Sequence, residues 1–297
     1  MRPVHVGLAL LVAVVWGLAF LATRIALDSF SAPELTAFRF LLAAVPAAFL
    51  PRPAVSWSGL VAIGATLFAG QFLFQFFAIA GGMPPGLASI VVQTQALFTI
   101  VFTALALGQW PSRREVAGGT VALGGLAVIG ATIGEDLTVR GLVLTLSSAV
   151  SWGIGNVLLK REREVDMLDL VVWASLVPPV PALSLAFLLD GRALLTSLGR
   201  ASASAIAATL YLGLVATVAA YAVWGVLLRR HPAATAAPFA LLVPFVAAVG
   251  SRLAFGERFG PARLAGMVLV LLGLAVIVGA VSRRRPTTFA GVEGCFI

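Results

Sequence analysis

The chain has 297 residues, 60% of them hydrophobic and only 11% charged, with a mean hydropathy of +1.05. A soluble domain carries roughly 25% charged residues, so the composition excludes one and describes a polytopic integral membrane protein. The net charge of +8 gives no case for nucleic acid, because the basic residues stand at the ends of apolar stretches, where topology signals lie.

Apolar stretches fall at about residues 5–23, 35–51, 59–80, 86–108, 115–134, 139–159, 168–189, 203–228, 233–255 and 262–281. Each approaches the ~20 residues that cross a bilayer, so the pattern predicts an all-α integral membrane protein with ten transmembrane helices. None shows the ~10-residue alternation of an outer-membrane barrel strand.

The first stretch follows Arg2 and has the outline of a signal peptide, with Ala22 or Ala26 near a cleavage site. Against that, Trp16-Gly17 stands eight residues before Arg24 just as Trp152-Gly153 stands eight before Lys160. The segment is therefore read as a retained first helix. Trp16 and Phe20 share one helical face, as do Trp152 and Asn156. In the second stretch Arg39 lies between Phe38 and Phe40. A guanidinium cannot shed its charge, and three roles stand open for it: snorkelling, bonding backbone carbonyls, or holding a substrate carboxylate.

Residues 53–112 carry no charge, and Gly81-Gly82-Met83-Pro84-Pro85-Gly86 divides them into two helices. Gln71 and Gln75 share a face of the third helix. Gln93 and Gln95 of the fourth are about 200° apart, so only one of them is expected to face a cavity while the other bridges helices. Amides in apolar spans seek a neighbouring helix or water. Gly118 and Gly125 of the fifth helix, like Gly266 and Gly273 of the tenth, form smooth faces that serve either packing within the chain or a homodimer. In the eighth, Tyr221 and Trp224 suit an aromatic wall, with interfacial anchoring as the alternative for Trp224.

The chain is duplicated. Trp16-Gly17 and Trp152-Gly153 are offset by 136, whereas Gly125-Leu-Ala-Val-Ile129 and Gly273-Leu-Ala-Val-Ile277, like Pro84 and Pro232, are offset by 148. About twelve residues around Asp190 to Ser202 account for the difference. Five spans per copy, an odd number, invert the second copy relative to the first. Inverted repeats are the plan of secondary transporters, with the substrate near the midplane between the halves. The predicted units are residues 5–134, residues 139–281 and a polar tail, 282–297, that begins with Arg283 to Arg285 at the membrane surface.

With the N-terminus in the cytoplasm, twelve Lys and Arg fall inside and seven outside, Arg39 lying within a span. The positive-inside rule then places both termini in the cytoplasm. Glu34, Asp28, Asp169, Asp190, Glu257 and both histidines, His5 and His231, lie at span ends, and Cys295 is alone in the tail. No metal-ligand cluster, nucleophile with a placed base, or phosphate loop is found. The reading therefore includes no metal, no cofactor, no enzyme activity and no ATP-driven pump.

Several blocks carry a resemblance: Val14-Val-Trp-Gly17, Gly82-Met-Pro-Pro-Gly-Leu-Ala-Ser89, Gln93-Thr-Gln-Ala-Leu-Phe-Thr-Ile100, Ser151-Trp-Gly-Ile-Gly-Asn156, Leu241-Leu-Val-Pro244 and Gly256-Glu257-Arg258. Across residues 5 to 281 the chain resembles the drug/metabolite transporter superfamily in its EamA-like branch, and it is most similar there to the O-acetylserine/cysteine-exporting subgroup. Two departures are Ala19, where members often carry Asn, and Gln109, which interrupts the Gly-Glu-Arg pattern after helix four. The resemblance implies a ten-helix carrier in the bacterial inner membrane that exports small metabolites. Together with the amides and aromatics, it gives an amino-acid exporter favouring cysteine or O-acetylserine. The expected lining residues are Trp16, Gln71, Gln75, Gln93, Gln95, Trp152, Asn156 and Tyr221. The alternatives are efflux of drugs or aromatic metabolites, and a non-transporting membrane scaffold.

Overall fold

A computed structural model of the chain describes residues 1–134, 137–162, 165–191 and 194–281. The tail 282–297, with Arg283 to Arg285 and Cys295, lies outside the described residues, as do Arg163 and Arg192. Among the described residues every regular element is helical. In chain order they are α1 (Pro3–Ala26), α2 (Ala32–Ala44), α3 (Trp57–Ala80), α4 (Pro85–Leu107), α5 (Arg113–Gly130), α6 (Val139–Arg161), α7 (Met167–Asp190), α8 (Ala203–Arg230), α9 (Thr235–Phe255) and α10 (Pro261–Ala280). A short helix, Leu194–Arg200, fills the insertion expected between α7 and α8.

Each of the ten predicted stretches coincides with one helix, but among the described residues only eight helices are long and apolar enough to cross a membrane. The other two fall short for local reasons. Past Ala44, α2 continues only as a 3-10 turn, Val45–Ala48, around Pro46, which has no N–H to donate. α5 carries Arg113, Arg114 and Glu115 in its first turn.

Helix starts are closed by side chains. Ser31 and Glu34 form a reciprocal capping box on α2, and Ser112 and Glu115 form one on α5; Ser56, Thr138 and Ser202 cap α3, α6 and α8. Such caps satisfy N–H groups that have no partner inside the helix, which matters more where lipid replaces water. α4 and α9 both end on a left-handed glycine, Gly108 (φ 67°) and Gly256 (φ 69°), at the repeat offset of 148.

The inversion is visible in how equivalent helices meet. A Cβ on Gly118 would lie 2.6 Å from the Gly273 carbonyl oxygen, and one on Gly125 would lie 2.6 Å from that of Gly266. Position along α10 falls as position along α5 rises, so these duplicated helices cross antiparallel. The glycine faces thus pack within the chain and are covered there. A second symmetric pair joins the copies: Gly17 of α1 abuts Val246 of α9, and Gly153 of α6 abuts Phe98 of α4. The first helix of each copy therefore lies against the fourth helix of the other.

The third and fourth helices of each copy depart from regular winding at matching depths. α3 is π-helical over Gly64–Gly70 and α8 over Tyr211–Ala219. α4 tightens to a 3-10 turn at Val92–Thr94, and α9 is interrupted at Leu241 and Leu242. Irregular backbone survives at membrane depth only where protein or a hydrated cavity satisfies it. Ser151 of α6 donates to the Thr66 carbonyl at 2.8 Å, and Trp16 of α1 donates to the Ala216 carbonyl at 3.0 Å. In each case the other copy's first helix bonds into the π-helical stretch. Outside the bundle, Leu105, Leu188 and Leu253 are more than 70% exposed, as lipid-facing residues should be.

Candidate functional site

Beside these irregular segments, α1, α2, α3, α4, α6, α8 and α9 line a cavity of about 90 Å³, against the roughly 10–15 Å³ of comparable space that one water needs. Its aromatic wall comes from α1 and α8: the Trp16 ring lies 5.1 Å from that of Tyr221 and 5.3 Å from that of Trp224. The bond from Trp16 to Ala216 fixes the indole in this position. Trp224 is 2% exposed and lines the cavity, so burial replaces the interfacial anchoring that its place near Arg229 also allowed. Trp152 closes the wall from α6.

The polar side is built by α3 and α4. Gln71 and Gln75, one turn apart and buried, face the cavity together as their spacing required. Both Gln93 and Gln95 also line it, which corrects the expectation that only one would. The cause is the 3-10 turn at Val92–Thr94: with three residues per turn, positions two apart are about 120° apart, against about 160° in a regular α-helix. Gln95 Oε1 and Trp224 Nε1 are buried there without a hydrogen-bond partner among the described residues.

Asn156 is the exception among the expected lining residues. It is buried outside the cavity wall and donates from Nδ2 to Thr99 Oγ1 of α4 at 3.0 Å. One turn further, Lys160 Nζ reaches Thr103 Oγ1 at 3.4 Å in the same register. A four-residue step turns a helix face by about 40°. That is enough for Trp152 to border the cavity while Asn156 lies under α4.

Arg39 also lines the cavity, and it is 4% exposed. Its Nε donates to Thr217 Oγ1 at 3.1 Å, and its guanidinium carbon lies 4.0 Å from the Phe72 ring centroid. The Thr217 hydroxyl in turn donates to the Leu212 carbonyl, five residues back in the π-helical stretch. Snorkelling is thereby set aside. Sequence reasoning missed Ala19, Thr23 and Phe72 and, on α9, Ala240 and Val243. The signal for the last two was Pro238 and Pro244, which flank the interruption of α9.

An all-helical membrane protein made of two inverted copies, with a partly polar cavity where their irregular helices meet, has the architecture of a membrane carrier. The sequence profile of the EamA-like transporter family matches residues 5–131 and again residues 139–279. The chain belongs to that family, and so to the membrane transporters of small molecules. It is 39% identical to a probable amino-acid metabolite efflux pump of Salmonella typhimurium, over 96% of this chain and 98% of that one. A protein of the same description from Escherichia coli K12 is 37% identical, over 94% and 96%. A probable terminal-alkyne amino-acid exporter of Streptantibioticus cattleyicolor is 28% identical, over 95% and 96%. A solved crystal structure shares the fold with a TM-score of 0.60 at 20% identity, covering 93% of this chain and 96% of that one.

Proposed function

We propose that the protein exports small amino-acid-type metabolites across the bacterial inner membrane by alternating access, with cysteine and O-acetylserine as favoured solutes. The observation that carries this reading is the cavity between the two copies, which places four glutamine amides and one guanidinium beside a wall of aromatic rings. A zwitterion needs polar partners for both ends and an apolar surface for its side chain, and this lining offers all three. The names of the relatives support export of amino-acid metabolites. The carrier's halves are residues 5–134 and 139–281, and both termini are cytoplasmic. Overproduction in a bacterial host tests the reading: extracellular cysteine and O-acetylserine should rise while intracellular pools fall. Unchanged pools on both sides refute the substrate assignment, and a C-terminal reporter active only in the periplasm refutes the orientation.

The ring cluster of Trp16, Tyr221 and Trp224 favours a second reading, efflux of aromatic metabolites. Resistance to toxic aromatic analogues without any change in cysteine-pathway pools selects it over the first.

A further inference from the structure

We infer that Arg39 is a carboxylate anchor, so that a solute must carry a free carboxylate to occupy the cavity. The inference rests on the transporter reading and names the solute class of the same site. It starts from an imbalance of charge. Among the described residues Arg39 is the one charged residue in the cavity lining, and no carboxylate among them stands beside it. The ion pairs of Arg24 with Asp28 and of Arg229 with Asp166 lie elsewhere at exposed positions.

The geometry shows which part of the side chain the protein uses. Thr217 takes the Nε donor, and the rings of Phe72 (4.0 Å), Phe40 (5.5 Å) and Phe76 (6.0 Å) lie around the guanidinium. Neither Nη atom hydrogen-bonds to a described residue. A guanidinium stays protonated and presents its donors as a planar fork that matches a carboxylate in a bidentate pair. With Nε tied down and one face against Phe72, the fork that remains is the Nη pair, on a side chain that borders the cavity.

The duplication sharpens the point. At the offset of 136 the counterpart of Arg39 is Ser175, fully buried, with its hydroxyl bonded to the Val171 carbonyl of its own helix. The two copies are thus equivalent at the glycine crossings and unequal at this position. One cation in a cavity that is otherwise neutral gives a solute a single orientation. The carboxylate sits on Arg39, and an ammonium finds acceptors among the glutamine carbonyls, of which Gln95 Oε1 has no partner among the described residues.

The test uses purified full-length protein in lipid nanodiscs, read by tryptophan fluorescence, because Trp16, Trp152 and Trp224 all border the cavity. The probes are L-cysteine, L-cysteine methyl ester and cysteamine, with the corresponding trio built on L-phenylalanine. The acid should bind at least roughly tenfold more tightly than its ester and its amine. R39Q should abolish that preference, and R39K should keep only part of it, since a point charge replaces the fork. T217V, which removes the Nε acceptor and keeps the cation, should narrow the preference without erasing it. Ester or amine binding as tightly as the acid in the wild-type protein overturns the inference and needs no variant to fold; so does R39Q that keeps the preference. Failure of both trios to bind also overturns it. The transporter reading is judged separately, by solute flux in liposomes, and flux without carboxylate preference refutes the anchor alone.

Discussion

Substituting alanine for the glycines where α5 crosses α10 tests the packing and the inversion together. A Cβ on Gly118 would lie 2.6 Å from the Gly273 carbonyl oxygen, 0.8 Å inside the 3.4 Å where ordinary contact begins. The obstacle is backbone, which cannot rotate away, so the helices must separate. Overpacking of this kind costs about 1–3 kcal/mol, offset by up to about 1 kcal/mol of helix propensity that glycine lacks. From the middle of that range, Gly118→Ala should therefore destabilise the protein by about 1 kcal/mol net. Gly266, its counterpart at the offset of 148, meets the Gly125 oxygen at 2.8 Å and Ile129 Cγ1 at 2.8 Å, where Gly118 meets Ile277 Cγ1 at 2.9 Å. Gly266→Ala should then cost about as much as Gly118→Ala. Gly124, on the same helix, has nothing within 4 Å of its built Cβ, and Gly124→Ala should be neutral or slightly stabilising. Reversible unfolding in mixed micelles with increasing SDS reads all three. Equal losses at Gly118 and Gly124, or no loss at Gly266, would refute the reasoning.

Three further outcomes are expected. Gly256→Ala and Gly108→Ala meet no atoms but must adopt a φ near +68°, so each should cost about 1–2 kcal/mol in the same unfolding assay; a null result at both would remove the conformational explanation. Asn156→Ala should lower stability by about 0.6–2 kcal/mol through loss of the Thr99 bond while the order of preferred solutes in a flux assay stays the same; an altered order would return Asn156 to the binding site. Trp16→Phe removes the bond to Ala216 and one indole from the wall, and should weaken solute binding several-fold as read by fluorescence from the remaining tryptophans; unchanged affinity would separate the wall from the site.

The broad architecture was legible because its causes are local in sequence. Lipid demands long apolar helices, and a duplication leaves matched residues such as Trp16 and Trp152. Glycines seven apart mark faces where helices touch, although the sequence alone left packing and a homodimer both open. What could not be read was winding. Nothing in Val92-Gln93-Thr94 announces a 3-10 turn, since the segment lacks glycine and proline; in the structure it packs against α6. The same applies to Gly64–Gly70 and Tyr211–Ala219, whose π-helical form shows only once the first helix of the other copy bonds to their carbonyls. Asn156 illustrates a further limit. Spacing placed it on the face of Trp152, but the path of α4 decides whether that face meets water or the Thr99 hydroxyl.

Flux through the cavity is tested most directly by filling it. Ala19 of α1 and Ala240 of α9 both line the space of about 90 Å³, and Leu253 faces outward at 81% exposure. L-cysteine uptake into proteoliposomes should be lost in Ala19→Trp and in Ala240→Trp and kept in Leu253→Trp, with all three variants showing wild-type helical content and unfolding midpoints within a few degrees. Wild-type flux in both plugged variants would contradict transport through the space between the two inverted copies.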